Sequence, residues 1–353
     1  MIELRSDTFT LPTPEMRRAM SSAPLGDDVY GEDPTVRALE DRAAELTDMA
    51  ASCLMPSGTM ANLAAILTHA PRGSKILVGA ESDIHVYEAA GASVCGGVSY
   101  ESVPNRPDGT LAIADLEAGF PVDVTDPQFA LPALICLENT QNRCGGAVLS
   151  LDYLRQVRDF ADGKGLPVHL DGARVFNAAV ASDVPVSAIT RHVDSVQFCL
   201  SKGLGAPIGS VLAGSADFVL AARRVRKMLG GGMRQAGVVA AAGLLALTGT
   251  ERLAVDHDNA RRLADGLAEC DGIELDPEAV RTNIVLFRIT SDRLSWRDFI
   301  AAAARRGLGV SELGHGRLRA VTHSGVDRAQ VDEAVRVVRA VLDDAGVTRA
   351  RAR

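Results

Sequence analysis

The chain has 353 residues, 47% apolar and 23% charged, which is core material for two domains and excludes a disordered, collagenous or disulfide-scaffold protein. Its 37 basic and 45 acidic residues give a net charge of −8 and are dispersed along the sequence, so no electrostatic footprint for nucleic acid appears. Lysine accounts for only four of the 37, at Lys75, Lys164, Lys202 and Lys227, so any amine nucleophile has four candidates.

The first fourteen residues carry two prolines and no helical period, and residues 1–14 are expected to run as an extended arm across the surface or onto a neighbour. Glu3, Arg5 and Asp7 interrupt this stretch, so it does not read as a signal peptide. The first helix begins at Asp33-Pro34, an N-cap followed by proline, with Val36, Leu39, Ala43 and Leu46 on one face. Short apolar runs then alternate with helical stretches. The runs are Lys75–Val78, Leu131–Leu137, Pro167–Leu170 and Ser195–Leu200, with helices expected over Thr59–Ala70 and Leu151–Gly163. Such strands separated by helices predict an α/β fold, a mostly parallel sheet covered on both faces. Only a Gly/Pro-rich link separates Leu200 from the next apolar run, Ser210–Ala213, too short for a parallel crossover, so those two strands are expected to pair antiparallel and make the sheet mixed.

An alanine-rich helix over Arg234–Leu247 leads into a charged helix over Glu251–Glu269. The large domain is assigned to residues 15–250 and a smaller α+β domain to 251–353, the latter with strands Asn283–Ile289 and Arg317–Val321, helix Trp296–Arg306 and a last helix carrying Val331, Val335, Val338 and Leu342 on one face. The tail Arg349–Arg353 is read as solvated. The longest apolar stretch, Ala236–Leu247, is twelve residues and too short to span a bilayer. Six cysteines without C-x-x-C spacing read as buried thiols of a reducing compartment, and no metal site is assigned, so the cytoplasm is the expected location.

Of the four lysines, Lys202 alone ends an apolar strand and opens a glycine-rich turn, which is where α/β sheets place ligand contacts. A dinucleotide fingerprint is excluded there, because the glycine spacing is off by one and a strand rather than a helix follows Gly209. Thirty-one residues upstream, the strand Pro167–Leu170 ends in Asp171. A lysine and an aspartate at two strand ends suit pyridoxal phosphate: the amine condenses with its aldehyde and the carboxylate keeps the pyridine nitrogen protonated, which makes the ring an electron sink. Asp171 read alone is equally well a helix N-cap. The phosphate requires a cradle, and Pro56-Ser57-Gly58-Thr59 offers hydroxyls and backbone N–H groups at the start of a helix.

Taken together, several strings resemble the low-specificity L-threonine aldolases, a family of fold-type I pyridoxal-phosphate enzymes. They are RSDT at Arg5–Thr8, GDDVYGEDPTV at Gly26–Val36, PSGTMAN at Pro56–Asn62, HLDGAR at His169–Arg174, CLSKGLGAPIGS at Cys199–Ser210, KMLGGGMRQAG at Lys227–Gly237 and RAVTH at Arg319–His323. The resemblance implies cleavage of L-threonine, L-allo-threonine and related β-hydroxy-α-amino acids to glycine and an aldehyde, with a cytoplasmic homo-oligomer, a dimer or a tetramer, that shares active sites between subunits. It makes Lys202 the cofactor-binding lysine, Asp171 the pyridine partner, and Ser57, Gly58 and Thr59 the phosphate contacts. It makes His85 the residue stacked on the cofactor and the candidate base. Arg174 and Arg319, with Ser6, are implied as ligands of the substrate carboxylate, and Arg174 also as a cofactor contact. Tyr30 and Arg234 are implied to reach a neighbouring subunit's site, on the substrate and cofactor sides respectively. Where the family usually has histidine in E-N-T-H-N, this chain has Gln141, which is expected beside the substrate β-hydroxyl but cannot take up its proton. Another pyridoxal-phosphate β-eliminating lyase, a phenylserine-type aldolase, an aminotransferase, and a non-catalytic cofactor-binding protein are the alternatives.

Overall fold

The computed structural model describes residues 1–347; the Arg349–Arg353 tail lies outside the described residues. Its strands in chain order are β1 (Ile2–Glu3), β2 (Ala51–Met55), β3 (Lys75–Gly79), β4 (Ser99–Val103), β5 (Pro132–Glu138), β6 (Val168–Asp171), β7 (Ser195–Cys199), β8 (Ser210–Gly214), β9 (Ile273–Glu274), β10 (Ile284–Ile289), β11 (Leu308–Gly309), β12 (Ser311–Glu312) and β13 (Leu318–Val321). Seven of them form one sheet in the order β2-β8-β7-β6-β5-β3-β4. From β7 to β4 all neighbours are parallel, while β8 lies antiparallel between β7 and β2. The mixed sheet expected from the short link after Leu200 is therefore present.

Residues alternate faces along each strand and are buried on both. Leu77 packs in the core on one side of β3 with Ile135, Leu170 and Phe198, whereas Ile76 and Val78 pack on the other side with Leu134 and Cys136. Such doubly buried strands need helices on both faces, and the helices Pro34–Thr47, Gly58–His69, Leu151–Lys164, Val175–Ser182 and Ala216–Met228 are among those that supply the cover. Ser57 caps the helix Gly58–His69, its Oγ accepting from the Met60 N–H at 3.2 Å. Among the described residues no single helix is long and apolar enough to cross a membrane.

A separate core gathers the helices Leu253–Ala268, Trp296–Arg305 and Arg328–Asp344 on a four-stranded antiparallel sheet in the order β12-β13-β10-β9. Leu4 belongs to this core at 1% exposure, and β1 pairs parallel with β11. The first seven residues thus do not run across the surface as the proline count suggested. Residues 2–4 enter the smaller core and Asp7 is fully buried against Arg174 and Asn283, while residues 8–14 are largely exposed.

Candidate active site

The carboxyl ends of the parallel strands open into a cleft of about 250 Å³. Asp171 from the end of β6, Gln197 from β7 and Lys202 from the turn after β7 line it, facing Ser57, Gly58 and Thr59 at the start of the helix Gly58–His69. A larger cleft of about 570 Å³ lies between the helices Leu253–Ala268 and Arg328–Asp344, but its arginines are tied to neighbouring acids, as in Arg262–Asp332 and Arg339–Glu269.

Asp171 is 2% exposed and accepts from Asn62 Nδ2 at 2.9 Å, Gln197 Nε2 at 2.5 Å and the Ala173 N–H at 3.1 Å. Burial raises its carboxyl above the usual aspartate range, opposed chiefly by the charge of Lys202. Around Lys202, burial works against the ammonium, but Cys199, Asp83 and Asp171 outweigh it and leave its pKa above the usual lysine value.

Asn62 is the hinge of a buried chain of polar groups. Its amide nitrogen donates to Asp171 and to Glu88 Oε1, the latter at 2.9 Å, and its Oδ1 meets His169 Nε2 at 3.0 Å. Since Oδ1 can only accept, His169 carries its proton on Nε2, so its Nδ1 accepts from Ser195 Oγ at 2.9 Å. Ser195 in turn accepts from His69 Nε2 at 2.9 Å. Burial lowers His169 to about 3 and His69 to about 4, which keeps both rings neutral. All the donors along this chain therefore point toward the aspartate.

The two expected carboxylate ligands differ. Arg174 Nε and Nη2 donate to Asp7 Oδ2 and Oδ1, both at 2.7 Å, in a bidentate pair whose side chains are 3% and 0% exposed. Arg174 is held by Asp7, so at most Nη1 could turn toward a ligand. Arg319 is held only in part: Nη1 donates to Asn142 Oδ1 at 2.6 Å and Nη2 to the Arg5 carbonyl at 3.1 Å, while Nε is buried without a partner among the described residues. Ser6, 9% exposed, accepts from the Thr8 N–H at 3.2 Å beside Asp7.

Like Ser6, Arg174 and Arg319, four further expected residues, His85, Tyr30, Arg234 and Gln141, are not among those lining the cleft. His85 is exposed on the helix Asp83–Val86, with its ring 5.8 Å from Tyr100, because the register of that short helix turns Asp83 inward and His85 outward. Tyr30 is 75% exposed and Arg234 pairs with Asp27 at 3.0 Å, which sets both on an outer face. Gln141 is buried and its amide is consumed locally. Nε2 donates to the Glu81 carbonyl at 2.7 Å and to Glu138 Oε2 at 3.3 Å, and Oε1 accepts from the Cys144 N–H at 2.7 Å. It holds its own loop together instead of facing a substrate hydroxyl.

Sequence reasoning missed Asn62, Asp83, Glu88, Asn142 and Gln197. Gln197 had a signal, since it is polar at the centre of the buried strand β7; the others depend on which face a helix or loop turns inward. A phosphate fits the cradle because residue 58 is glycine: a Cβ there would stand 2.9 Å from Cys199 Sγ and 3.5 Å from Gln197 Oε1. The partnerless Arg319 Nε, the acid at a strand end and the lysine across from the helix start fit a phosphorylated pyridine bearing an amino acid.

The beta-eliminating lyase family pattern matches residues 3–290. The chain is 42% identical over 343 residues to the low specificity L-threonine aldolase of Escherichia coli (strain K12), covering 97% of this chain and 99% of that one. It is 47% identical over 293 residues to a relative from Arabidopsis thaliana described as a probable low-specificity L-threonine aldolase 2, covering 82% of each. Among solved structures, the threonine aldolase of Leishmania major superposes with a TM-score of 0.80 at 22% identity, covering 97% of this chain and 98% of that one. The serine palmitoyltransferase of Sphingomonas wittichii superposes with a TM-score of 0.77 at 19% identity, covering 98% and 88%. With a matching pattern across most of its length and relatives identical at more than two positions in five, the chain belongs to the beta-eliminating lyase family.

Proposed function

We propose that this protein is a pyridoxal-phosphate-dependent aldolase that cleaves L-threonine, L-allo-threonine and related β-hydroxy-α-amino acids to glycine and an aldehyde. The observation that carries the reading is the placement of Lys202 and Asp171 on one cleft with the start of the helix Gly58–His69, linked through Asp83 and Asn142 to Arg319, whose Nε has no partner among the described residues. When bound, pyridoxal phosphate supplies an aldehyde for amines and an electron sink for a bond broken at the substrate's α carbon. Lys202 anchors it. Asp171, fixed by three donors, holds a proton at the pyridine nitrogen. Ser57, Gly58 and Thr59 meet the phosphate with hydroxyls and the positive helix end.

Arg319 grips the substrate carboxylate, with Arg174 Nη1 and Ser6 as secondary contacts. A carboxylate held at a fixed guanidinium restricts rotation about the α carbon, and that orientation selects which of its bonds breaks. Tyr30 and Arg234, exposed together on one face, suit a subunit of a homo-oligomer that lends them to a neighbouring site, as a dimer or tetramer. The free cysteines Cys53, Cys136, Cys199 and Cys270, all buried, suit the reducing cytoplasm, where threonine breakdown or glycine supply would place the enzyme.

Acetaldehyde and glycine from L-threonine test this reading. Ammonia or a keto acid as the product would assign an eliminating lyase or an aminotransferase. The Lys202→Ala protein is expected to lose both the visible absorbance of the bound cofactor and threonine cleavage; full activity in that variant would refute the role of Lys202.

A further inference from the structure

We infer that Asp83 is the catalytic group that takes the proton from the substrate β-hydroxyl, held in place for it by the Asn142 amide. This rests on the aldolase reading. Cleavage between Cα and Cβ requires a group that accepts the hydroxyl proton, and the cleft can be searched for one residue by residue. His85 is exposed, with its ring 5.8 Å from Tyr100 and not among the residues lining the cleft, and the Gln141 amide can accept no proton and is spent on its own loop. Asp171 already accepts three hydrogen bonds and faces the pyridine side. Glu138 lies behind the wall, where Oε2 accepts from the Asp83 N–H and Oε1 from the Asn142 N–H, both at 2.8 Å. Glu88 accepts from Asn62 Nδ2 at 2.9 Å, on the same amide that holds Asp171. Lys202 is committed to the cofactor.

Asp83 is the remaining acid, and its geometry is specific. It lines the cleft, and its Oδ1 accepts from Asn142 Nδ2 at 3.0 Å. The other end of the same amide, Asn142 Oδ1, accepts from Arg319 Nη1 at 2.6 Å. One side-chain amide thereby fixes the group that grips the substrate carboxylate relative to the carboxylate that faces the substrate's other end. Oδ2 is left to act on a ligand. In the step, Asp83 receives the hydroxyl proton, the O–H electron pair becomes the second bond of the aldehyde carbonyl, and the Cα–Cβ bond breaks. The pair of that bond stays with the glycine fragment, which gains one proton at Cα, so threonine yields glycine and acetaldehyde without oxidant or reductant.

The test separates this step from everything else the cleft does, because glycine has no β-hydroxyl. Holoenzyme and its Asp83→Asn and Asp83→Glu variants would be assayed three ways: threonine cleavage, exchange of the glycine α-hydrogen in D2O by proton NMR, and titration of pyridoxal phosphate into the apo-protein. A lost general base corresponds to about 10²-fold or more in rate. The expected result is that loss in threonine kcat for Asp83→Asn, with glycine exchange and cofactor affinity within about threefold of the unmutated chain. Asp83→Glu keeps a carboxylate and should recover cleavage relative to Asp83→Asn. Equal loss of cleavage and glycine exchange would overturn the assignment, as would equal losses in the Asn and Glu variants or cleavage that survives in Asp83→Asn. Glycine exchange without any threonine cleavage in the unmutated chain would instead overturn the aldolase reading itself, and this one with it.

Discussion

Removing Asp7 should destabilise the protein through the charge it leaves behind. Arg174 donates two hydrogen bonds of 2.7 Å to Asp7, and Asn283 Nδ2 adds a third at 3.3 Å. Charge-assisted bonds contribute roughly 1.5–3 kcal/mol each, so the two short ones together account for about 3–6 kcal/mol. Breaking a buried pair on one side costs about 3–5 kcal/mol, because the surviving charge cannot reach water. Asp7→Ala is therefore expected to lose about 3–5 kcal/mol in urea unfolding followed by circular dichroism. The double variant Asp7→Ala/Arg174→Met leaves no buried charge and should be the more stable of the two. Arg174 also holds the Asp7 carboxyl well below the usual range against the opposing cost of burial. A folded-state pKa below the unfolded one gives stability that is present above the unfolded value, so this contribution should fade only as pH falls below about 4. A cost under about 1 kcal/mol for Asp7→Ala, or a double variant no more stable than the single one, would refute the reasoning.

Gly58→Ala should weaken pyridoxal phosphate binding by about tenfold or more, since overpacking costs about 1–3 kcal/mol and the added Cβ would press on Cys199 at 2.9 Å in the cradle itself. An unchanged dissociation constant in a cofactor titration would remove the cradle from the account. Asp256 lies buried at the interface of the helix Leu253–Ala268, and burial raises its carboxyl to about 6 against the opposing charge of Arg252. A raised folded-state pKa contributes stability at low pH that is lost as pH rises through about 6, which from the unfolded value of 3.8 amounts to roughly 1.4 kcal/mol between about pH 5 and about pH 8. Urea midpoints at those two pH values should differ less for Asp256→Asn than for the unmutated chain; parallel shifts would refute the assignment.

The fold was legible where a periodicity had to be satisfied. Runs such as Ala133–Leu137 and Ser195–Cys199 read as strands because they are short, mostly apolar and buried on both faces, and the short link after Leu200 left an antiparallel return as the option for Ser210–Gly214. The edge strand β4, Ser99–Val103, has three polar residues in five and carried no such run, whereas β2, Ala51–Met55, is a short apolar run directly before the Pro56-Ser57-Gly58 turn. Leu4 was illegible because its burial partners lie about three hundred residues away in the last core. Lys202 and Asp171 were legible for the opposite reason: a charged group at the end of an apolar strand has few structural uses. The placement of Asp83 rather than His85 among the residues lining the cleft is a matter of register. Asp83 and His85 lie two residues apart on one helical turn, which directs them to different sides, and no periodicity around that short helix identifies the inner one.

Four acids crowd this cleft and its wall, and their separate roles follow from how many donors each receives. Burial raises Asp171, Glu88 and Glu138 alike, and each carboxylate raises its neighbours further. Asp171 is compensated by Asn62, Gln197, the Ala173 N–H and the charge of Lys202. Glu88 shares one hydrogen of the same Asn62, and its carboxyl is pushed well above the usual glutamate range, first by burial and then by Asp171 itself. The one Asn62 amide thus ties these two acids together, and the donors aligned from His69 through Ser195 and His169 fix that amide in place. The donor on Asp171 is thereby held by a buried chain that begins at His69, so the helix Gly58–His69 lines the cleft at its start and, through its last residue, orients the amide that hydrogen-bonds the acid.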